Sequence, residues 1–439
     1  MKTALDIRGV ILTLIILALI GTGCTSQTAA VQPQAEGAAK GQKVLKVAWW
    51  GNDGRKERTM KVIELFEKKY PNIKVEPTDA PNGDYWVLLA MKAADQDFPD
   101  VIQMDYKYIN EYIKRKLIMP LDDLVASGKL DVSDLDDSSR AAGTFDEKLY
   151  GIVTGVNAPS VMYNPEIFEQ TGVPTLSAGY TYEDLIQTAR ELKEQINQPD
   201  FIPIGSGALD FAYYLRQHGA SYYAADGKGL GYDKDEYLSD FFKMEKMLID
   251  EGLMASPDVI NALSSDKDAL IINKRAAFHT ITSNNVGSYS SLSGTAMRLL
   301  PFPALKGGSE GNYVKPSMYF SVSSYTKQSE EAALFIDFFI NDLEANEILL
   351  GERGVPATAK VREHLLDQMK GSDREQYVYM EHVEKNSSPI DPPVPLVSSS
   401  INTLFSKIRN KMLLGQMTPE EAAKQFRDGA NEIFADAAS

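Results

Sequence analysis

An α/β fold in two lobes is what this sequence predicts, and three observations predict it. Residues 44 to 105 alternate strand, helix, strand, helix, strand, the pattern of an open, mostly parallel sheet. The same alternation resumes in the middle of the chain. The stretch able to fold, from about Val44 to Ser439, is longer than one hydrophobic core usually serves.

The elements follow from local patterns. Val44-Leu45-Lys46-Val47-Ala48-Trp49-Trp50 reads as a first strand. Val62, Leu65, Phe66 and Tyr70 fall at helical spacing within Arg58 to Tyr70, and Pro71-Asn72 stops that helix. Ile73 and Val75 alternate with Lys74 and Glu76 as a second strand. A helix over Asp84 to Ala94 follows, then a strand over Pro99 to Asp105. Tyr150 to Tyr163 is strand-rich. Thr181 to Ile196 and Asp235 to Glu251 read as helices. Ala276 to Thr282 and Met318 to Ser323 read as strands. Helices over Glu330 to Asn341, Ser400 to Leu414 and Pro419 to Ala435 complete the chain. The last is opened by Thr418 with Glu421 at its third position.

The N-terminus reads as a processing segment. Lys2 and Arg8 give it positive charge, and Val10 to Ile20 is an apolar run too short for a confident membrane span. Thr22 and Gly23 precede Cys24, the only cysteine. Position and small neighbours make Cys24 the expected lipid-attachment site of a bacterial lipoprotein. Gly21 departs from the usual pattern, where leucine is common. An ordinary buried cysteine is the alternative. Residues 1 to 23 are then a signal peptide and 24 to 43 a Ser/Thr/Gln/Ala tether. Cleavage removes two cationic residues and one anionic residue, taking the formal net charge from −16 to −17. Such an acidic surface argues against nucleic acid as a partner. With one cysteine, no intramolecular disulfide is possible.

Open sheets bind ligands outside the carboxyl ends of their strands. Trp49-Trp50 and Met104-Asp105 stand at two such ends. Against an enzyme, the chain has no Gly-x-Ser-x-Gly elbow, no phosphate-binding loop and no dinucleotide fingerprint after its first strand. Its four histidines, His218, His279, His364 and His382, show no metal-ligand spacing. No cofactor and no metal are expected. A glycan hydrolase remains the enzymatic alternative, since abundant carboxylates allow a catalytic pair.

The ordered set of Trp49-Trp50-Gly51 with Arg55, Phe66 to Val75, Phe98 to Asp105, Leu149-Tyr150-Gly151-Ile152, Tyr163 to Phe168 and Gly351-Glu352-Arg353-Gly354-Val355-Pro356 resembles extracellular solute-binding proteins of carbohydrate ABC transporters, family 1. The resemblance covers essentially everything after residue 43. Within that family, the double tryptophan, Asp84-Tyr85-Trp86 and Asp391-Pro392-Pro393-Val394-Pro395 look most like binders of rhamnogalacturonan-type pectin oligosaccharides. The resemblance implies a type II periplasmic-binding-protein fold, with a hinge of several segments and a cleft closing on sugar. It implies crossings near Ile152 to Asn157, Lys315 to Tyr319 and Phe339 to Ala345. Lobe 1 is then 44–155 with 317–345, and lobe 2 is 156–316 with 346–439. It implies a monomer, lipid-anchored at the outer face of the cytoplasmic membrane, that serves an ABC permease.

A pyranose offers apolar faces and a rim of hydroxyls, so its site needs aromatic platforms and planar polar side chains. Trp50 and Trp86 are candidate platforms, with core packing as the alternative for each. Adjacent strand residues face opposite ways, so one of Trp49 and Trp50 faces any given surface. Arg55 is a candidate partner for a uronate or for vicinal hydroxyls, or else it pairs with Glu57 or another neighbour. Asp105 is a candidate hydroxyl acceptor or a helix cap. Asn157 lies at the first crossing and Tyr319 at the second. Asn284 and Asn285 follow a second-lobe strand, where a plain turn is the alternative. Tyr214 and Arg353 complete the candidates, and Arg353 has an internal ion pair as its alternative. A different glycan, a peptide or a polyamine remains open as ligand, as does a surface adhesion role without a cleft.

Overall fold

The computed structural model describes residues 42–438 apart from 96, 208 and 393. Cys24, the tether up to residue 41 and Pro393 of the 391–395 motif lie outside the described residues, and Lys43, expected as the tether's last residue, already belongs to the first strand. Strand β1 (Lys43–Trp50) pairs in parallel with β2 (Ile73–Ala80), Lys43 opposite Ile73 and Trp50 opposite Ala80. Leu45, Val47, Ala48, Trp49 and Trp50 are all buried, because helices cover both faces of this strand. Helix α1 (Asp53–Lys69) joins the two strands and buries Thr59, Val62, Ile63 and Phe66. It starts earlier than the apolar spacing indicates. Asn52 caps it by accepting from Arg55 N at 2.9 Å, which recruits the Gly-containing turn into the helix. Helix α2 (Asn82–Ala94) then leads to β3 (Val101–Met104).

A short hairpin, β4 (Thr144–Phe145) and β5 (Lys148–Leu149), precedes β6 (Ile152–Asn157) and β7 (Pro159–Tyr163). The remaining strands are β8 (Ile204–Ser206), β9 (Phe278–Thr282), β10 (Arg298–Leu300) and β11 (Lys315–Val322). They form two principal sheets, ordered β2-β1-β3-β11-β6 and β10-β7-β9-β8. In the first sheet β11 runs antiparallel to both β3 and β6, and the other four strands are mutually parallel. The second sheet is mixed, with β7 antiparallel to β9 and β10, and β8 parallel to β9. The expectation of a mostly parallel sheet therefore holds for the first sheet except where the returning strand β11 enters it.

Two passages join the sheets. The chain leaves the first through Ala158, between β6 and β7, and returns after β10 to form β11. Ser283 holds the joint: its N–H donates to Ala158 O at 2.9 Å, and its Oγ accepts from Ala158 N at 3.1 Å. The third crossing, expected near Phe339 to Ala345, lies later. Helices Ser329–Asn341, Leu343–Leu349 and Ala359–Leu366 pack on one another, and the first two pack on α1. The first element thereafter to pack against the second sheet is the helix Gly371–Lys385, which meets β10. Apolar burial explains this. Phe335, Ile336, Phe338 and Phe339 share the first lobe's core, and Phe66 stacks edge-on against Phe335 and Phe338.

Helices Asp235–Asp250, Ser398–Leu413 and Pro419–Ala438 pack together on the second lobe around Phe242, Ile401 and Phe426. The last is opened by the expected box: Glu421 N donates to Thr418 Oγ1 at 3.1 Å, and Thr418 N donates to Glu421 Oε2 at 2.8 Å. Among the described residues no helix is long and apolar enough to cross a membrane.

Candidate ligand-binding cleft

One edge of the first sheet collects the ends of β1 at Trp50, β3 at Met104 and β6 at Asn157. The antiparallel β11 begins there, with Lys315 opposite Asn157. Trp49 and Trp50 divide between faces as the pleat requires. Trp49 is fully buried in the core. Trp50 packs against Tyr85 and Trp86, each with ring centroids 5.4 Å away. Trp86 continues the row to Tyr108 at 4.3 Å. Trp50 is thus the back wall of an aromatic shelf, and the half-buried Trp86 and Tyr108 are its front.

The two candidate arginines support this shelf from behind. Arg55 donates from Nε to Glu352 Oε1 at 2.6 Å and from Nη1 to Trp50 O at 3.1 Å. Arg353 is buried, with Nε donating to Gln103 Oε1 at 3.0 Å and Nη2 to Thr59 Oγ1 at 2.9 Å. Gln103 in turn donates to Trp50 O at 3.1 Å. Burial pulls the Arg353 guanidinium down to about 9, so it stays charged at neutral pH beside Glu352. The loop Gly351–Pro356 is therefore tied to the carbonyl of Trp50. Arg55 pairs with Glu352, not with Glu57, whose carboxylate meets Lys61 at 2.7 Å.

Opposite this edge stands the carboxyl end of β8. It leads to Asp210, which accepts from Tyr213 N at 2.7 Å and opens the helix Phe211–Gln217. Asp210 is solvent-accessible, yet crowding by surrounding protein raises its carboxyl pKa against the opposing backbone donors. Tyr313 lies near it, its phenol pushed up to about 12 by burial and then by the Asp210 carboxylate. Arg216, on the same helix, is buried against the Tyr313 ring, 4.8 Å from its centroid, and donates to Asp391 Oδ1 at 2.6 Å. Tyr106, next to Asp105 on the first-lobe edge, donates to Asp391 O at 2.8 Å. The two edges thus meet.

The other candidates fall in three places. Asp105 is half-buried at the first-lobe edge; its Oδ1 accepts from Lys107 N at 2.8 Å, a turn-forming bond. Asn157 is buried at the joint with Oδ1 unpartnered, and the exposed Asn284 and Asn285 adjoin it beyond Ser283. Tyr319 and Tyr214 stand apart. Tyr319 is fully buried and donates to Ala142 O at 3.0 Å. Tyr214 is buried in the second lobe's helical cluster, against Tyr182 and Phe241. A surface recess of about 530 Å³ by His218, Tyr232 and Tyr237 includes none of the candidates. Sequence reasoning missed Tyr106, Asp210, Arg216 and Tyr313. The strand-end rule points to the first two once β8 is known.

A family model described as bacterial extracellular solute-binding protein matches residues 52–343. The chain belongs to this family. It is a solute-binding family of ABC transporters, extracytoplasmic and not catalytic. This solute-binding protein is similar to an uncharacterized ABC transporter extracellular-binding protein of Pyrococcus horikoshii, 28% identical over 41% of each chain. The chain thus spans about two fifths of that relative's length. The galactooligosaccharide-binding protein of Bacillus subtilis is 23% identical over 75% of this chain and 77% of its own. Among solved structures, a family 1 extracellular solute-binding protein from Alicyclobacillus acidocaldarius is 26% identical, with TM-score 0.78 over 90% of this chain and 99% of that one. A periplasmic oligogalacturonide binding protein from Yersinia enterocolitica, in complex with saturated digalacturonic acid, is 25% identical, with TM-score 0.72 over 91% and 100%. These likenesses bear out the two-lobed α/β fold.

Proposed function

We propose that this solute-binding protein captures an oligosaccharide between its lobes and delivers it to an ABC permease. The observation that carries this is the facing of two complementary edges. Trp86 and Tyr108 offer apolar faces on one side. Asp210 and Tyr313 offer a hydroxyl acceptor and a neutral phenol donor on the other. The first lobe comprises 44–155 and the chain from 317 to the helix ending at Leu366, and the second comprises 156–316 and the chain after Leu366. Asp105, Asn157, Asn284 and Asn285 complete the polar rim. Cys24 carries the lipid that holds the protein at the membrane's outer face. A pectin-derived ligand of the rhamnogalacturonan type is the finer reading. Asp84-Tyr85-Trp86 and the Asp391 motif support it, as does the relative that holds digalacturonic acid.

A thermal-shift screen of the domain from residue 25 onward tests this, using pectin, xylan, starch and mannan oligosaccharides, peptides and polyamines. A ligand that binds only the native state raises the melting temperature by mass action. Response to rhamnogalacturonan fragments alone supports the whole reading. Response to another glycan keeps the sugar and discards pectin. A response to polyamines alone overturns it in favour of a second reading, for which the open carboxylate of Asp210 among tyrosines is the supporting feature.

A further inference from the structure

One guanidinium in the second lobe donates five hydrogen bonds. Arg216 donates from Nε to Gly311 O at 3.0 Å, from Nη1 to Asp391 Oδ1 at 2.6 Å, and from Nη2 to Ser388 Oγ at 2.6 Å and Pro389 O at 2.9 Å. A longer bond runs to Ser388 O at 3.3 Å, and the Tyr313 ring lies against its face. Its side chain is 6% exposed. Four of these contacts fall on residues 388–391, an irregular segment between two helices. Ser388 N donates to Asn312 O at 2.9 Å, and Asn312 Oδ1 accepts from Tyr213 Oη at 2.7 Å, so both ends of the arrangement return to the same helix. The segment is thereby fixed to the second lobe. Among the described residues, its hydrogen bond to the first lobe's ligand edge is Tyr106 Oη on Asp391 O.

We propose that Arg216 is a positioning residue of the cleft, stapling residues 388–391 to the second lobe so that Asp391 O receives Tyr106 and the lobes are tied closed. This rests on the interlobe-cleft reading above. The tie is a single hydrogen bond between neutral groups, light enough to break when the lobes open. Arg216 does not touch the first lobe itself. It decides where the acceptor stands, and a guanidinium is suited to this because its rigid fork meets a carboxylate and several carbonyls at once. A lysine keeps the charge and loses the fork.

The test uses the ligand-free domain from residue 25, so it does not depend on knowing the sugar. Small-angle scattering reads the lobe separation, and hydrogen exchange reads the amides of 388–391. Tyr106→Phe removes only the bond across the cleft. It is expected to lower the closed-to-open ratio about two- to tenfold, as one net hydrogen bond allows, with a larger radius of gyration and unchanged exchange in 388–391. Arg216→Lys is expected to give the same radius and, in addition, faster exchange in 388–391. The double variant should be no more open than Arg216→Lys. If Arg216→Lys does not fold, Asp391→Asn replaces it, with the same expectation in weaker form. An unchanged radius in Tyr106→Phe overturns the proposal. So does additive opening in the double variant. A failed sugar screen with these opening effects intact would sink the ligand reading and leave the tie standing.

Discussion

At the scale of single residues, burial decides what each aromatic and cationic group is free to do. Trp50 retains 7% exposure and Trp86 is half-buried, so truncating them has different consequences. Trp86→Ala is expected to weaken oligosaccharide binding at least tenfold with a modest loss of stability, measured by calorimetry and thermal melting. Trp50→Ala should also cost stability, on the order of 3–5 kcal/mol, because it opens a cavity behind the shelf. Equal stability losses in the two variants would contradict this division. His279 makes a second residue-scale prediction. It is buried on β9 beside Tyr289, and burial lowers its pKa to about 4, with Asp266 pulling weakly upward. The folded protein therefore holds it neutral where the unfolded chain binds a proton. Its contribution is complete above about pH 6.5 and is lost as pH falls toward 4, by up to about 3 kcal/mol. His279→Gln should flatten the acid limb of a denaturant-measured stability profile over that window. The sequence made the tryptophans legible as a pair split by the pleat. It did not reveal that Arg55 and Arg353 are occupied, since Glu352, Gln103 and Thr59 reach them only through the fold.

At the scale of elements, the parts read best were those with a long period or a local cap. The helix Tyr182–Ile196 begins at Thr181, whose side chain and that of Asp184 satisfy each other's backbone donors. The final helix does the same with Thr418 and Glu421. The missed element is the one that matters most for the site. β8 has three residues, with Pro203 just before it and Gly205 within it. A strand so short carries no alternation to detect, and without it Asp210 looks like any loop aspartate. The joint between β6 and the Gly351–Pro356 loop is equally invisible in sequence. There Val156 bridges Val355, and a Cβ on Gly155 would stand 2.5 Å from Arg353 O. Gly354, at φ +98°, sits in a region that disfavours side chains. Gly155→Ala should therefore push the loop away from β6, lower the melting temperature and weaken ligand binding together. A stable Gly155→Ala protein of unchanged affinity would show that this contact does not hold the site.

At the scale of the whole molecule, two lobes joined through β6–β7 and β10–β11 predict a change of shape. Saturating ligand should reduce the radius of gyration of the wild-type domain in small-angle scattering, because closure is favoured by differential contacts with the bound sugar. Identical scattering curves with and without bound ligand would mean capture on a fixed surface. The two-lobed plan was legible from length and from repeated α/β alternation. The order of strands was not, because pairing partners far apart in sequence leave no local mark. That order carries a temporal consequence. β11 fills the gap between β3 and β6, yet it is made only after the whole excursion from Asn157 to Lys315. A nascent chain must leave both neighbouring strand edges open until residue 322 has emerged. All four strands of the second sheet are thus made before the first sheet can be completed.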